Sequence, residues 1–297
     1  MTSARAIHQP LLSWRRFSIL SSIFLFLFCL YTLGLNFIQL PPSADPVEAA
    51  KTFLLAALNP AFSDQNPSLP SDAQAFIPRT LEGILTTLRY AFIAMSMAVP
   101  AGLLLGFLAS SAWWPLPRTR TNKIYALSLR AVLVCLKTLT RLLTTFIRSI
   151  HELIWVLLFL SFLGDSPFTA CIALALPFTG TLAKVFSEII DEQVNDNNKH
   201  VLLAGGSNLQ AFFAVRLPEA LPDIITYTMY RLECAIRSSA VLGFIGIETI
   251  GLSIYQSYEN TYYNEVWTEL YLLILTVMAF DILGSFVRNR VHKAPTT

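Results

Sequence analysis

Long uncharged apolar runs alternate with polar, proline-rich or charged stretches along the chain. Residues 17–40 and 90–114 contain no Asp, Glu, Lys or Arg. Each run is longer than the roughly 20 residues with which a helix crosses the hydrocarbon core of a bilayer. The whole pattern predicts an all-α membrane protein with about six transmembrane helices. The predicted spans are 17–38, 82–112, one within 124–164, 167–189, 223–247 and 266–287.

The N-terminal run has one feature of a secretory signal peptide, because Arg15 and Arg16 precede it. However, it is longer than the apolar core of a signal peptide. Pro41 and Pro42 also follow it in place of a small-residue cleavage site. We therefore expect a retained anchor helix.

The sequence predicts two parts: residues 1–80, an N-terminal anchor helix with an external loop, and residues 81–290, a transmembrane domain. Within the proline-rich loop, residues 47–58 have helical spacing and are expected to lie along the surface. Residues 124–164 are too long for one span and carry several cations. We expect an amphipathic or early-starting helix there, leading into a span that ends near Gly164.

Composition supports membrane insertion, and the positions of the cations predict its orientation. Charged residues make up 13% of the chain, against roughly a quarter in soluble domains. With six spans, three clusters of Lys and Arg fall on the same side, which the positive-inside rule makes cytoplasmic. We therefore expect a multi-pass inner (plasma) membrane protein with cytoplasmic N- and C-termini. The clusters are Arg15 with Arg16, Arg118 with Arg120 and Lys123, and Arg288 with Arg290 and Lys293.

A polar loop, residues 191–222, is then predicted to face the cytoplasm. Its apolar helical stretch ends at Gly205 and Gly206, and Ser207 can cap a new helix. Pro218 and Pro222 are expected to break the chain. The loop is thus predicted to be a short helix–turn–helix with one apolar side exposed to a partner or to neighbouring helices. An ordinary helical connection is the alternative.

The loop resembles the cytoplasmic coupling loop of permease subunits of binding-protein-dependent ABC importers. That pattern is E-A-A, three residues, Gly, nine residues, then I-x-L-P. Here nine residues separate Gly205 from Val215-Arg216-Leu217-Pro218, whereas Lys199-His200-Val201 departs from E-A-A. The resemblance implies contact with an ATPase subunit through Lys199, His200, Ala204, Gly205, Ser207, Leu209, Val215, Leu217 and Pro218.

Across roughly residues 80–290 the chain is similar to phosphonate ABC importer permeases. Where these usually have a glycine-rich G-A-G-G-I-G, this chain has Gly246-Ile247-Glu248-Thr249-Ile250-Gly251. The resemblance implies a methionine-importer-like bundle that moves a small oxyanion: phosphonate foremost, with phosphate or phosphite as alternatives. It also implies a homodimer, a separate ATPase dimer inside and a substrate-binding protein outside. The similar segments are 148–155, 180–188, 204–210, 230–233 and 236–243.

Several ionisable residues lie in or near the predicted spans. Arg148 and Glu152 are four residues apart, as are Glu233 and Arg237, so each pair can meet on one helix face. Such pairs either fix helix packing or border a path for an anion, since buried charges in membranes usually face the bundle interior. The candidate path residues are Arg148, His151, Glu152, Glu233, Arg237, Ser238, Ser239 and Glu248.

Enzymatic functions find little support in the sequence. His151-Glu152 begins the zinc-protease pattern H-E-x-x-H, but Trp155 stands where the second histidine is needed. The chain has no G-x-x-x-x-G-K-[ST] phosphate loop, and Gly205-Gly206-Ser207 is not a G-x-S-x-G elbow. We expect no catalytic residue, no metal, no cofactor and no nucleic-acid partner. The runner-up function is a secondary transporter or channel not coupled to ATP, although such proteins often carry internal repeats.

Replacing Arg237 by alanine is expected to abolish uptake while the protein stays in the membrane. The planar guanidinium, which is suited to binding an oxyanion with two parallel hydrogen bonds, would be lost. Uptake of labelled phosphate or phosphonate by cells producing Arg237→Ala, with immunoblotting of the membrane fraction, provides the measurement. Unchanged uptake would remove Arg237 from the path.

Overall fold

The computed structural model describes residues 14–32, 46–65, 75–114, 123–193 and 196–293, which are helical without any strand. A π-helical turn, Phe212–Arg216, and a 3-10 turn, Leu242–Ile245, interrupt the α-helices. The α-helices are α1 (Trp14–Thr32), α2 (Pro46–Ala56), α3 (Phe76–Ala109), α4 (Lys123–Ser149), α5 (Glu152–Leu163), α6 (Pro167–Glu192), α7 (Asp196–Leu203), α8 (Asn208–Ala211), α9 (Leu217–Val241), α10 (Ile250–Glu259) and α11 (Tyr263–Lys293).

Two compact units divide the chain at residue 55. The first holds α1 and nearly all of α2. Helix α1 confirms the predicted N-terminal helix as far as Thr32, while its predicted end at residue 38 lies outside the described residues. Helix α2 confirms the helix predicted within residues 47–58; it starts at Pro46 with Glu48 in its first turn, where a proline and an acid are both favoured.

The second unit, residues 56–297, holds the remaining helices. Among the described residues, α3, α6 and residues 263–291 of α11 are each long and apolar enough to cross a membrane. Two bent helix pairs raise the number of candidate spans from three to five, and residues 17–32 of α1 form a shorter apolar helix. The predicted cation pair Arg118 and Arg120 lies outside the described residues.

The stretch between residues 124 and 164 consists of two helices at 91° to each other. The amphipathic helix is α4, and the segment does end at Gly164, the C-cap of α5. The predicted full span is wrong for α5 alone, because its 12 residues fall short of the roughly 20 required. The bend lies at His151, whose imidazole Nδ1 accepts a hydrogen bond from the Leu153 N–H and so caps a new helix.

The predicted chain break at Pro218 and Pro222 is wrong, and so is the predicted start of the fifth helix at residue 223. Helix α9 begins at Leu217 and runs through both prolines. Pro218 lies in the first turn, where the missing N–H has no helical partner to lose. The π-helical turn immediately before it joins α8 to α9, so one helical segment continues from Asn208 to Ile245.

A line of small residues packs α3 against α6 at the centre of the second unit. Gly102 and Gly106 lie very close to α6. A Cβ added at Gly102 would lie 2.8 Å from the Leu182 Cβ, and one added at Gly106 would lie 3.1 Å from the Phe186 Cβ. Small side chains allow such close packing between membrane helices, where no hydrophobic force drives association. The buried line on α3 comprises Ala91, Ala94, Ala98, Gly102, Gly106 and Ala109.

The turn between the end of α9 and the start of α10 is also closely packed. A Cβ on Gly251 would lie 1.9 Å from the Ala240 carbonyl oxygen, and one on Gly243 would lie 2.0 Å from the Leu252 nitrogen. Both contacts are with backbone atoms that cannot rotate away. Gly246, with a φ of 94°, completes the turn because glycine adopts this left-handed conformation without strain.

Replacing Gly102 by alanine is expected to destabilise the protein by about 1–3 kcal/mol, since overpacking forces packed elements apart. Gly284→Ala in α11 is a matched control, because its nearest new neighbour would be the flexible end of Arg288 at 3.3 Å. Thermal unfolding in detergent should show a lower midpoint for Gly102→Ala only. Equal midpoints for the two variants would contradict the close packing of α3 on α6.

Candidate functional site

A polar cavity of about 290 Å³ lies at the break between α4 and α5. Helices α6 and α9 complete its wall, so four helices meet around it. The sequence-predicted path residues that line it are Arg148, His151, Glu152 and Ser238. The other lining residues are Ser149, Ile150, Pro177, Phe178, Thr181, Arg231 and Cys234.

Glu152 and Ser238 connect two walls of this cavity. The Ser238 hydroxyl donates a 2.6 Å hydrogen bond to the Glu152 carboxylate, linking α9 to the first turn of α5. The other carboxylate oxygen lies 4.0 Å from His151 Nε2. The expected pair of Arg148 with Glu152 is absent among the described ion pairs, because the 91° bend between the two residues removes their common helix face.

The remaining predicted path residues lie elsewhere. Arg237 and Glu233 form the expected pair on α9, at 3.1 Å, with the guanidinium mostly exposed. Ser239 is fully buried and donates to the carbonyls of Thr87 and Ile236. Glu248 is exposed just after the 3-10 turn. None of the four lines the cavity.

Arg231 is the functional candidate that sequence reasoning missed. Its Nε donates a 2.8 Å hydrogen bond to the Tyr227 hydroxyl, and its guanidinium lies over the rings of Tyr227 and Tyr230. The signal was in the spacing: residues 231, 234 and 238 are three and seven positions apart and so share one face of α9. Arg237 lies at the edge of this face, where its guanidinium reaches Cys234 Sγ at 3.7 Å, and Glu233 lies beyond it.

The predicted coupling loop has the expected helix–turn–helix form. Helix α7 ends in a turn through Gly205, whose φ is +90°, and Ser207 caps α8 as predicted. The Ser207 hydroxyl accepts from the Gln210 N–H, and the Gln210 side chain accepts in return from the Ser207 N–H. This reciprocal capping box fixes the entry into α8.

One apolar side of this coupling segment, residues 196–218, is exposed. Leu203 is 84% exposed, and Leu209 and Phe213 are about half exposed. Of the residues implied as coupling contacts, His200, Ala204, Gly205 and Pro218 are also exposed, while Val215 and Leu217 are half-buried. Lys199 lies in α7, and its side chain is outside the described residues.

An aromatic cluster packs the inner side of the coupling segment against the end of α3. The Phe107 ring stacks on Trp113 with 4.9 Å between centroids and meets Phe212 edge-on at 5.1 Å. Phe212 is only 2% exposed. The Asn208 side chain also donates a hydrogen bond to the Trp114 carbonyl. Packed rings therefore connect the start of the π-helical turn after α8 directly to α3.

Asp191, at the end of α6, joins three helices beside this cluster. Its carboxylate accepts hydrogen bonds from the Ser110 hydroxyl at 2.6 Å and from the Ser111 N–H at 3.0 Å. The side chains of Arg141 and Lys137 on α4 lie 3.6 and 4.0 Å away. One carboxylate thus links the ends of α3 and α6 to the cationic side of α4.

Several curated relatives of the chain are, by their names, permease proteins for phosphorus oxyanions, and one is a methionine import system permease protein of Bacillus subtilis. A phosphate-import permease protein of Mycolicibacterium smegmatis is 26% identical over 49% of this chain and 27% of its own length. A putative phosphite transport system permease protein of Stutzerimonas stutzeri is 26% identical over 48% of this chain and 50% of its own length. A putative cryptic phosphonate transport system permease protein of Escherichia coli is 27% identical over 40% of this chain and 97% of its own length. The match thus spans half or less of the first two relatives.

Solved structures confirm the predicted methionine-importer-like bundle. A chain of the MetNI methionine ABC transporter, in an inward-facing conformation, superposes with a TM-score of 0.57 at 20% identity. The superposition covers 72% of this chain and 97% of that one. An amino acid ABC transporter with histidines gives a TM-score of 0.55 over the same share of this chain.

A family model covers most of the second unit. The model is that of the binding-protein-dependent transport system inner membrane component, and it matches residues 79–295. The match includes the cavity, the coupling segment and the α3–α6 core. This chain therefore belongs to the family of inner-membrane components of binding-protein-dependent transport systems.

Proposed function

We propose that the chain is the membrane-spanning permease subunit of an ABC importer that moves a small phosphorus oxyanion into the cell. The observation that carries the proposal is the coupling segment: an exposed apolar ridge of Leu203, Leu209 and Phe213 backed by the buried aromatic cluster. Exposed apolar side chains in a polar loop between two spans favour a protein–protein contact at that loop. In this family the partner on that side is an ATPase subunit.

The working assembly follows from the single permease half that the chain provides. Two copies form the pathway, two ATPase subunits bind the coupling segments inside, and a substrate-binding protein delivers cargo outside. Both termini face the cytoplasm, as the cation clusters favour. ATP-driven closure of the ATPase dimer moves the coupling segments, and each ligand acts only through its different affinity for the two states.

The cargo class is supported by the cavity and by the relatives' names. Arg148 and Arg231 give the cavity a cationic wall, and phosphonate, phosphate and phosphite all carry oxygens that suit the arginine fork. We propose phosphonate as the foremost cargo. All eight predicted path residues stay predictions; Arg148, His151, Glu152 and Ser238 border the cavity, and the other four do not.

A transporter without ATP coupling is the second candidate function. The bent α4–α5 pair favours it, because broken helices often form ion sites in secondary transporters. The family of the chain favours the ATP-driven importer. Uptake driven by an ion gradient alone, in vesicles without ATP, would establish the second candidate.

Introducing a charge on the apolar ridge is expected to release the ATPase. Leu203→Asp and Leu209→Asp should each weaken binding by about tenfold or more, as truncation of a central interface residue does. Co-purification of the ATPase with the tagged permease provides the measurement. Leu58→Asp is the control, since Leu58 is 77% exposed but lies far along the chain from the coupling segment. An ATPase that stays bound to both ridge variants would refute the proposal.

Neutralising Asp191 is expected to uncouple uptake from ATP hydrolysis. Asp191→Asn would leave Arg141 and Lys137 without their carboxylate and loosen α3 and α4 from the end of α6. We expect the number of oxyanions imported per ATP hydrolysed to fall below the wild-type ratio, because the link between α4 and the ends of α3 and α6 is weakened. Proteoliposomes report both rates. Glu192→Gln, at the exposed neighbouring position, should keep the wild-type ratio, and an equal ratio in Asp191→Asn would contradict the coupling role.

A further inference from the structure

Two arginines line the cavity at the α4–α5 break without a carboxylate partner. Neither Arg148 nor Arg231 lies within ion-pair distance of an Asp or Glu in the part of the chain that the structure describes. Arg231 is half-buried and Arg148 is exposed. The two guanidiniums therefore lack the compensation that Glu233 gives to Arg237 on the same helix.

We propose that the permease itself recognises its cargo, through an oxyanion subsite formed by Arg148 and Arg231. The inference rests on the proposed function and adds to it. Cargo selection is then shared between the external binding protein and the membrane subunit. The ligand class is a small tetrahedral anion with at least two unsubstituted oxygens, such as a phosphonate or phosphate.

Arg231 is held in place before any ligand arrives. The Tyr227 hydroxyl accepts from its Nε at 2.8 Å, and the rings of Tyr227 and Tyr230 lie 5.4 and 5.9 Å from the guanidinium carbon. Tyrosine rings attract a cation without neutralising it. The two terminal nitrogens have no hydrogen-bond partner among the described residues. They are therefore free to donate two parallel bonds to an anion.

The lining residues leave the arginines as the main donors to a ligand. The Ser149 hydroxyl already donates to the Thr145 carbonyl, the Thr181 hydroxyl to the Pro177 carbonyl, and the Ser238 hydroxyl to Glu152. These three oxygens can therefore only accept. The remaining side-chain N–H donor is His151 Nε2, since the Nδ1 of that ring accepts from Leu153; the guanidiniums supply the charged donors to an anion in the cavity.

The net charge of the cavity favours an anion. Arg148 and Arg231 contribute two positive charges against the single carboxylate of Glu152, and that carboxylate is engaged by Ser238. The N-terminal end of α5 also borders the cavity at Ile150 and His151. The partial positive charge of that helix N-terminus is opposed by the partial negative charge of the α4 C-terminus at Ser149, so the two guanidiniums decide the sign.

The volume of the cavity suits a small solvated ligand. At about 290 Å³ the cavity has room for roughly nine waters. A tetrahedral anion fits with part of its hydration shell. Recognition by two guanidiniums responds to the charged oxygens rather than to the organic substituent. The membrane subunit is therefore expected to accept methylphosphonate, phosphite and phosphate alike and to exclude neutral molecules.

Binding of methylphosphonate to the permease–ATPase complex, in phosphatidylcholine nanodiscs and without the binding protein, tests the subsite. Proton saturation-transfer NMR follows the methyl signal of the ligand. We expect transfer in the wild-type complex that inorganic phosphate suppresses. Arg148→Gln and Arg231→Gln should each weaken binding by at least about tenfold, the usual range for a charged hydrogen bond. Tyr227→Phe, which keeps the ring, should weaken it about two- to tenfold.

The control is Arg290→Gln, which should bind as the wild type does. Arg290 also stacks on a ring, with its guanidinium 4.7 Å from the Phe286 centroid, but it does not line the cavity. If an arginine variant fails to assemble, Tyr227→Phe still tests the subsite, because it removes only the hydroxyl that accepts from Arg231.

Three results would overturn the inference. They are no transfer in the wild-type complex, equal transfer in wild type and all cavity variants, and suppression of the signal by phosphatidylglycerol. The last would identify a lipid headgroup as the occupant. A wild-type permease that retains no ATPase would instead refute the proposed function, so the two failures are distinguishable.

Discussion

The close packing of α3 on α6 is the constraint on which the rest of the structure depends. Between membrane helices there is no hydrophobic driving force, so contact must come from shape and dispersion. The small residues of α3, with Gly102 against Leu182 and Gly106 against Phe186, bring the two backbones together. Helices α4, α5 and α9 then pack around this pair, and their positions follow from it.

Helix α6 connects the two ends of the molecule at which function is proposed. Pro177, Phe178 and Thr181 line the cavity, and Asp191 ties the end of the same helix to α3 and α4. A helix that is mostly buried and packed on several neighbours moves as a rigid body more readily than it bends. The cavity wall and the links of Asp191 to α3 and α4 thus lie on one continuous helix.

Two kinds of polar group bear on the cavity and on the packing around it. Glu152 with Ser238, Ser239 with Thr87, and Arg237 with Glu233 are satisfied within the protein and fix its packing. Arg148 and Arg231 are not balanced by a carboxylate among the described residues. A charge that is paired within the protein stabilises the fold, whereas an unpaired charge inside a membrane protein often binds a ligand. Arg148 and Arg231 are therefore the stronger candidates for function.

The sequence by itself determined the membrane class, the helical fold, the cap at Ser207 and the coupling turn at Gly205, because apolar length and capping chemistry are local properties of the chain. Only the tertiary structure decided the 91° bend at His151, the passage of α9 through Pro218 and Pro222, and the choice of Arg231 over Arg237 as a cavity residue. These three features depend on how the helices pack against one another, and that packing is determined by contacts between residues far apart in the chain.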